Sequence, residues 1–264
     1  MKFFLPALLG FSMIYTSCKD QSGPKPVAAN EQAAEAVTET IKEPVVNPVE
    51  HATAVIEWGD TTIYIDPVGG ASSFKDQPAP DLILITDIHG DHLNVETLQG
   101  LVTGEATIIA PVAVADELPE ELKAKTHILE NGNTMEEHGI MVEAIPMYNL
   151  REEAKDFHVK GRGNGYVLEK DEIRIYFSGD TEDIPEMRAL KDIDKAFVCM
   201  NLPYTMTVQS AADAVLEFAP AQVYPYHFRG RPDVSDVSEF KRLVNEGNPD
   251  IEVVQLDWYP NEPY

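Results

Sequence analysis

The heptapeptide Thr86–His92, TDIHGDH, gathers two carboxylates and two imidazoles into the six positions from Asp87 to His92. Side chains at 87 and 89 share one side of an extended chain, because the strand period is two. Gly90 is expected to let the backbone turn, and Asp91 and His92 then open the next segment. One loop can therefore aim two pairs of donors at one small volume. Imidazole and carboxylate are good ligands for Zn²⁺, Mn²⁺ and Fe²⁺. A chance cluster of exposed charges is the competing reading of the heptapeptide taken alone.

The elements around it decide whether such a loop can be held still. The run DLILIT before the heptapeptide is continuous and apolar, as a buried strand requires. After it, NVETLQGL reads as a short helix capped by Asn94. Upstream, ATAVIEW and TTIYIDP form a hairpin around Gly59-Asp60. Downstream come strand ATIIAP, helix VAVADEL, strand THILE, turn NGN and strand GIMVEAIPMY. A charged, glycine-bearing loop over residues 149–162 leads to a second hairpin, NGYVLEK and EIRIYFSGD, around Lys170-Asp171. Helix IPEMRAL, strand DKAFVCMN, a helix capped by Thr207, strand AQVYPYHF, helix DVSEFKRLVNEG and strand IEVVQL complete the order. The first half is strand-rich and the second alternates strands with helices. That order fits an α/β fold of two sheets packed together and flanked by helices, with ligands collecting at strand C-termini.

The chain has 264 residues and a formal net charge of −25. Such an acidic chain is a poor candidate for nucleic-acid binding, which relies on Lys and Arg neutralising phosphates. An anionic substrate would need a local positive centre. Two cysteines, Cys18 and Cys199, exclude a disulfide scaffold and a cysteine-based zinc site. Cys199 reads as a small core residue on a buried strand. The N-terminal MKFFLPALLGFSMIYTSC has one positive charge, an apolar run and small residues before Cys18. It reads as a signal peptide over residues 1–17. The tetrapeptide YTSC resembles a bacterial lipobox with Tyr15 as an unusual first residue, which implies cleavage before Cys18 and lipidation of its thiol. A plain secretory signal and an uncleaved anchor are the alternatives. Residues 18–49, rich in Ala, Glu, Pro and Val and lacking aromatics, read as a flexible tether. The folded domain is expected over residues 50–264.

TDIHGDH resembles the loop of the metallo-β-lactamase-fold hydrolases, which reads His-x-His-x-Asp-His. The resemblance covers residues 51–264 and implies a four-layer αβ/βα sandwich of two mixed sheets flanked by helices. It implies a first metal held by Asp87, His89 and a later histidine, His158 in FHVKGRGNGYVLE. It implies a second metal held by Asp91, His92 and His227 in YPYHFRG, with Asp180 in IYFSGDT bridging the two. The opening HATAVIEWGDTTIYIDP and the stretch AIPMYN are similar to the branch of ascorbate-6-phosphate lactonases and N-acyl-phosphatidylethanolamine phospholipase D. Asp87 departs from the pattern. A carboxylate there adds negative charge and hardness, which favours Mn²⁺, Mg²⁺ or Fe²⁺ over the ions a three-histidine position prefers. It either ligates the first metal or points away.

The resemblance implies a hydrolase with two divalent ions (Zn, Mn or Fe) that hold a bridging hydroxide, which Asp91 orients. The expected substrate is a small-molecule or lipid-derived phosphodiester, lactone or related ester in the cell envelope. Candidate substrate contacts are Tyr148, Asn149, Lys160, Arg162, Tyr204, Arg229 and Arg231; the alternative is that most are solvated loop residues. His51 is expected to orient a ligand or to be structural. His127 and His138 lack matching context and read as surface residues. A non-catalytic envelope lipoprotein that keeps the fold for metal or ligand binding is the rival. An iron oxidoreductase is disfavoured, since no dinucleotide fingerprint accompanies the cluster.

Overall fold

The computed structural model describes residues 43–260; the expected signal peptide, Cys18 and most of the expected tether lie outside those residues. In chain order the first half holds β1 (Val45–Glu50), β2 (Thr53–Trp58), β3 (Thr61–Ile65), β4 (Leu82–Leu84), α1 (Val95–Leu101), β5 (Thr107–Ala110), α2 (Val112–Glu117), α3 (Glu120–Lys123) and β6 (Thr126–Ile128). The second half holds β7 (Thr134–Glu137), β8 (Ile140–Met147), β9 (Gly163–Lys170), β10 (Ile173–Phe177), α4 (Pro185–Arg188), β11 (Lys195–Cys199), α5 (Val208–Phe218), β12 (Gln222–Tyr226), α6 (Val237–Gly247) and β13 (Glu252–Val253).

Two sheets result, one of order β1-β2-β3-β4-β5-β6 and one of order β13-β12-β11-β10-β9-β8-β7. In chain order each begins with antiparallel pairs and ends with parallel ones. In the first the change falls at β3–β4, in the second at β10–β11. This is the expected pair of mixed sheets flanked by helices.

Alternation along the strands builds the layers. Ala54, Ile56, Trp58, Ile63, Ile65, Leu82 and Leu84 join the large core shared with the second sheet. Their neighbours Val55, Tyr64, Ile83 and Ile85 point the other way, into a second core with Leu98 and Leu101 of α1 and Val114 after Pro111. These strands are buried on both faces, which is why DLILIT is continuously apolar. On the second sheet α5 sets Ala211, Val215 and Phe218 into the large core, and α6 adds Phe240 and Val244. Each such large side chain contributes about 1.5–3 kcal/mol when fully buried.

The tether expected to residue 49 ends sooner. Val45–Glu50 is an edge strand pairing antiparallel with β2, Val46 opposite Ile56. Val46 packs against the large core, and an edge strand tolerates Pro48 because its missing donor disrupts no ladder. Strand β7, TMEE, had no counterpart in the sequence reading; only its Met135 packs against the core. Of the expected strand IEVVQL, only Glu252–Val253 pairs, with Gln222 and Val223 of β12.

Candidate metal centre

The heptapeptide leaves β4 through Ile85 and Thr86, both fully buried. The turn after Asp87 is closed by two backbone bonds, from the His92 and Leu93 amides to the His89 carbonyl, at 2.9 and 2.8 Å. Gly90 faces open space with no left-handed backbone, so the turn does not depend on it as expected. Asn94 then caps α1, its Oδ1 accepting from the Thr97 amide at 2.8 Å. The second sheet supplies the facing residues. His158 sits in the segment between β8 and β9, tied back by the Asn149 amide donating to its carbonyl at 2.9 Å. Asp180 follows β10 through Gly179. That glycine is required: its φ is +60°, and a Cβ would lie 2.6 Å from Met147 Sδ. His227 follows β12 with φ 46°, and His51 and Asp66 also adopt positive φ. Strained backbone of this kind persists where surrounding structure fixes it, and it clusters at functional sites.

These residues converge. Asp87, His89 and His158 place one donor atom each within 4.8 Å of one another, as do His92, Asp180 and His227, and His51, Asp91 and His227. Asp180 lies among three imidazoles: its Oδ2 is 3.1 Å from His158 Nε2 and 3.4 Å from His92 Nε2, and its Oδ1 is 3.2 Å from His227 Nε2. Burial alone raises the Asp180 carboxyl, but His227, His92 and His158 outweigh it and hold the group well below the usual carboxylate range. Burial also lowers His227, to about 3. At His92 burial opposes the charge, yet Asp180 and Asp66 raise the imidazole well above its ordinary value. Asp91 is lowered: His51, His92 and His227 overcome its burial.

A cavity of about 540 Å³ opens over this cluster. Its floor is His89, Asp91, His158 and Asp180, with His51 beside them. Phe157 and Tyr204, packed edge to face at 5.1 Å, form one wall, and Arg229 and Arg231 form another.

Residues 46–227 match the family model described as the β-lactamase superfamily domain. The chain belongs to the metallo-β-lactamase superfamily and is a metal-dependent hydrolase. It is 32% identical over 206 residues to a "UPF0173 metal-dependent hydrolase" of Pyrococcus horikoshii, a match covering 74% of this chain and 90% of that one. A relative of the same description from Methanopyrus kandleri is 30% identical over 224 residues, 81% of this chain and 96% of its own. A crystal structure of a candidate metal-dependent hydrolase from Parabacteroides distasonis superposes with a TM-score of 0.73 at 35% identity, covering 82% of this chain and 94% of that chain.

The donor set suits divalent metal. His92 Nδ1 lies 2.8 Å from Asp66 Oδ2, so Nε2 is the nitrogen aimed at the cluster, only 3.1 Å from His227 Nε2. Two facing imidazole nitrogens beside a buried carboxylate are satisfied together by a cation. Asp180 Oδ1 has no hydrogen-bond donor among the described residues. Metal in this hydrolase would be held by His89, Asp91, His92, His158, Asp180 and His227, with Asp87 beside His89.

Asp66 was missed in the sequence, although it closes the strand TTIYIDP. It is fully buried and accepts from the Thr86 amide at 2.7 Å, the Thr86 hydroxyl at 2.6 Å and His92 Nδ1. A carboxylate on the far nitrogen of a ligating histidine fixes its tautomer and orientation. His51, expected to orient a ligand, lies 3.5 Å from Asp91 and receives Tyr259 Oη on its other nitrogen at 2.7 Å.

Of the candidate substrate contacts, Tyr204, Arg229 and Arg231 line the cavity and the other four do not. Tyr148 is buried and donates to Glu186, and Lys160 pairs with the same Glu186 on the surface. Asn149 spends its amide on the carbonyls of Ala154 and Tyr204, so it shapes the loop that carries His158. Arg162 grips Asp87, Nε to Oδ1 and Nη2 to Oδ2, both at 3.0 Å. Glu182, also missed, is a buried carboxylate accepting from the amides of Leu150 and Arg151 and from Arg151 Nε, which anchors the start of the same loop. His127 and His138 lie near Glu137, remote from the cluster. Cys199 is fully buried on β11.

Proposed function

We propose that this hydrolase works with two divalent ions, zinc, manganese or iron, and cleaves a phosphodiester, lactone or related ester bond. The observation that carries the reading is the meeting of two donor groups under one cavity: Asp87, His89 and His158 on one side, His92, Asp180 and His227 on the other, with Asp180 between them. Such a pair of ions, when bound, supplies an activated water at neutral pH and charge to stabilise the developing oxyanion. The chain supplies the rest. Asp91 reaches the cavity floor with a half-exposed carboxylate. Its low proton affinity keeps it an acceptor at neutral pH, suited to orienting the attacking water. Arg229 and Arg231 give the cavity a positive wall in a chain of net charge −25, which suits a phosphate or carboxylate on the substrate. Phe157 and Tyr204 offer an apolar face to its organic part.

The opening strands support the finer likeness to ascorbate-6-phosphate lactonases and N-acyl-phosphatidylethanolamine phospholipase D. The lipobox-like YTSC motif supports a membrane-anchored envelope location through Cys18, with a lipid-derived substrate as the corollary. Among the described residues no helix is long and apolar enough to cross a membrane.

The test is a panel of chromogenic phosphodiesters, lactones and carboxylic esters assayed with added Mn²⁺ or Zn²⁺ against His89→Ala/Asp91→Ala protein. Turnover of one class above that control, with two ions per chain, is the expected result. Turnover by neither form refutes these substrate classes. For the anchor, incorporation of labelled fatty acid is expected in the wild-type chain and absent in Cys18→Ser.

A further inference from the structure

Asp87 stands where the related loop has a histidine, and it is fully buried. A lone carboxylate at such a depth is costly. Arg162 meets it with a two-pronged grip, one nitrogen to each oxygen at 3.0 Å, the strongest geometry a carboxylate is offered by a side chain. The same Nη2 also donates to the Phe157 carbonyl, directly before His158. One guanidinium thus joins the end of β4 on the first sheet to the His158 loop on the second.

The lone pairs decide what Asp87 can still do. Each carboxylate oxygen has two. Oδ1 accepts from Arg162 Nε. Oδ2 accepts from Arg162 Nη2 and keeps its remaining lone pair for the side where His89 Nδ1 lies 2.7 Å away. That side belongs to the group formed with His158. Oδ1 keeps a lone pair too, but Oδ2 is the oxygen that lies beside His89 Nδ1, so Asp87 presents one oxygen on that side, much as an imidazole presents one nitrogen. The charge also balances, because carboxylate plus guanidinium carries the same net charge as a neutral imidazole.

We propose that Arg162 is a positioning residue for the first metal: it makes Asp87 a one-oxygen, charge-compensated ligand and pins His158 opposite it, so that Asp87 and Arg162 together replace the missing histidine. The proposal rests on the two-ion reading above. It replaces the expectation that Asp87 alone sets the metal preference of this position.

The experiment is a substitution cycle read by metal content and by affinity for Zn²⁺ and Mn²⁺ in chelator competition, with thermal unfolding of metal-free protein as the folding control. Arg162→Met is expected to weaken the first ion by roughly 10–100-fold, the range for lost outer-shell partners, and to leave the second within about threefold. Arg162→Lys keeps the charge but cannot hold two oxygens and the Phe157 carbonyl, so it is expected to resemble Arg162→Met. Arg162→Gln serves if the methionine variant does not fold. Asp87→His alone is expected to weaken the first ion, because Arg162 then faces an imidazole with nothing to accept its bonds. Asp87→His/Arg162→Met is expected to recover at least tenfold of that loss. Two ions in the wild type with unchanged affinities in Arg162→Met overturn the proposal and leave the two-ion reading intact. Full affinity in Arg162→Lys, or no recovery in the double variant, also overturns it. A single ion in the wild type overturns the two-ion reading, and an Arg162→Met effect on that ion then decides the role of Arg162.

Discussion

Replacing Asp66 with asparagine removes one charge and almost no volume, yet it is expected to unseat His92. The carboxylate accepts the Thr86 amide on Oδ1, and the Thr86 hydroxyl and His92 Nδ1 on Oδ2. Asparagine keeps one acceptor and turns the other into a donor. If its oxygen keeps the Thr86 amide, its NH₂ faces His92 Nδ1. That nitrogen must then give up its proton, which moves to Nε2, the atom 3.4 Å from Asp180 and 3.1 Å from His227. A protonated Nε2 cannot ligate. If the amide is flipped, two donors meet at Thr86, and a buried orphan donor costs about 1–3 kcal/mol. Both arrangements lead to a similar penalty, equivalent to roughly 10–100-fold in metal affinity. Affinity for Zn²⁺ is measured by chelator competition, with the unfolding temperature of the metal-free protein as control. An Asp66→Asn affinity within twofold of wild type, in a protein that folds normally, would refute the orienting role of Asp66.

Further outcomes are expected at Cys199, Gly230 and Asn94. Burial, reinforced by the charge of Asp180, pushes the Cys199 thiol up to about 12, so in Cys18→Ser protein at pH 8 a disulfide reagent is expected to modify no cysteine until denaturant is added. Because the folded value lies above the unfolded one, the unfolded chain sheds this proton first. Stability from Cys199 is complete below pH 9 and falls as pH rises toward 12, by at most about 4 kcal/mol; Cys199→Ala, followed by denaturant titration at pH 8 and 10.5, is expected to flatten that decline. At Gly230 an added Cβ would collide with the Leu202 carbonyl, so Gly230→Ala is expected to shift the wall that carries Arg229 and Arg231. Its signature is a tenfold or greater fall in kcat/KM with unchanged metal content, on the order of 1.4 kcal/mol of transition-state stabilisation. Asn94→Ala removes the cap of α1 and is expected to lower stability by about 1 kcal/mol in urea titration.

The strands and the loop residues brought to the centre were legible because each carries its reason locally. DLILIT is apolar nearly throughout, as burial on two faces demands, and Asp180 and His227 fall beside recognisable strand ends, while His158 lies within the loop between β8 and β9. What escaped the sequence depends on partners far along the chain. Arg162 lies in a charged loop, where a basic residue ordinarily meets solvent or substrate; nothing near it announces a buried carboxylate 75 positions earlier. Asp66 ends a strand before a proline, and its bond to His92 exists only once β3 and β4 align in parallel. Strand β1 was hidden by Pro48 within it and Pro44 just before it, and β7 by having so little that needs burial.

The division of the donors between the two sheets has a kinetic consequence. Asp87, His89, Asp91 and His92 leave the first sheet, while His158, Asp180 and His227 leave the second, so neither half alone can enclose an ion. Metal capture then reports the docking of the halves during refolding, later than the formation of either sheet. A bound ion, in turn, acts as a rivet between them: at a free concentration of 100 times Kd it contributes about 2.7 kcal/mol, all of which must be given up before the halves separate. Chelation is expected to accelerate unfolding chiefly through that separation, and proteases to cut first in the segment around Asn149–Arg162 that it would release.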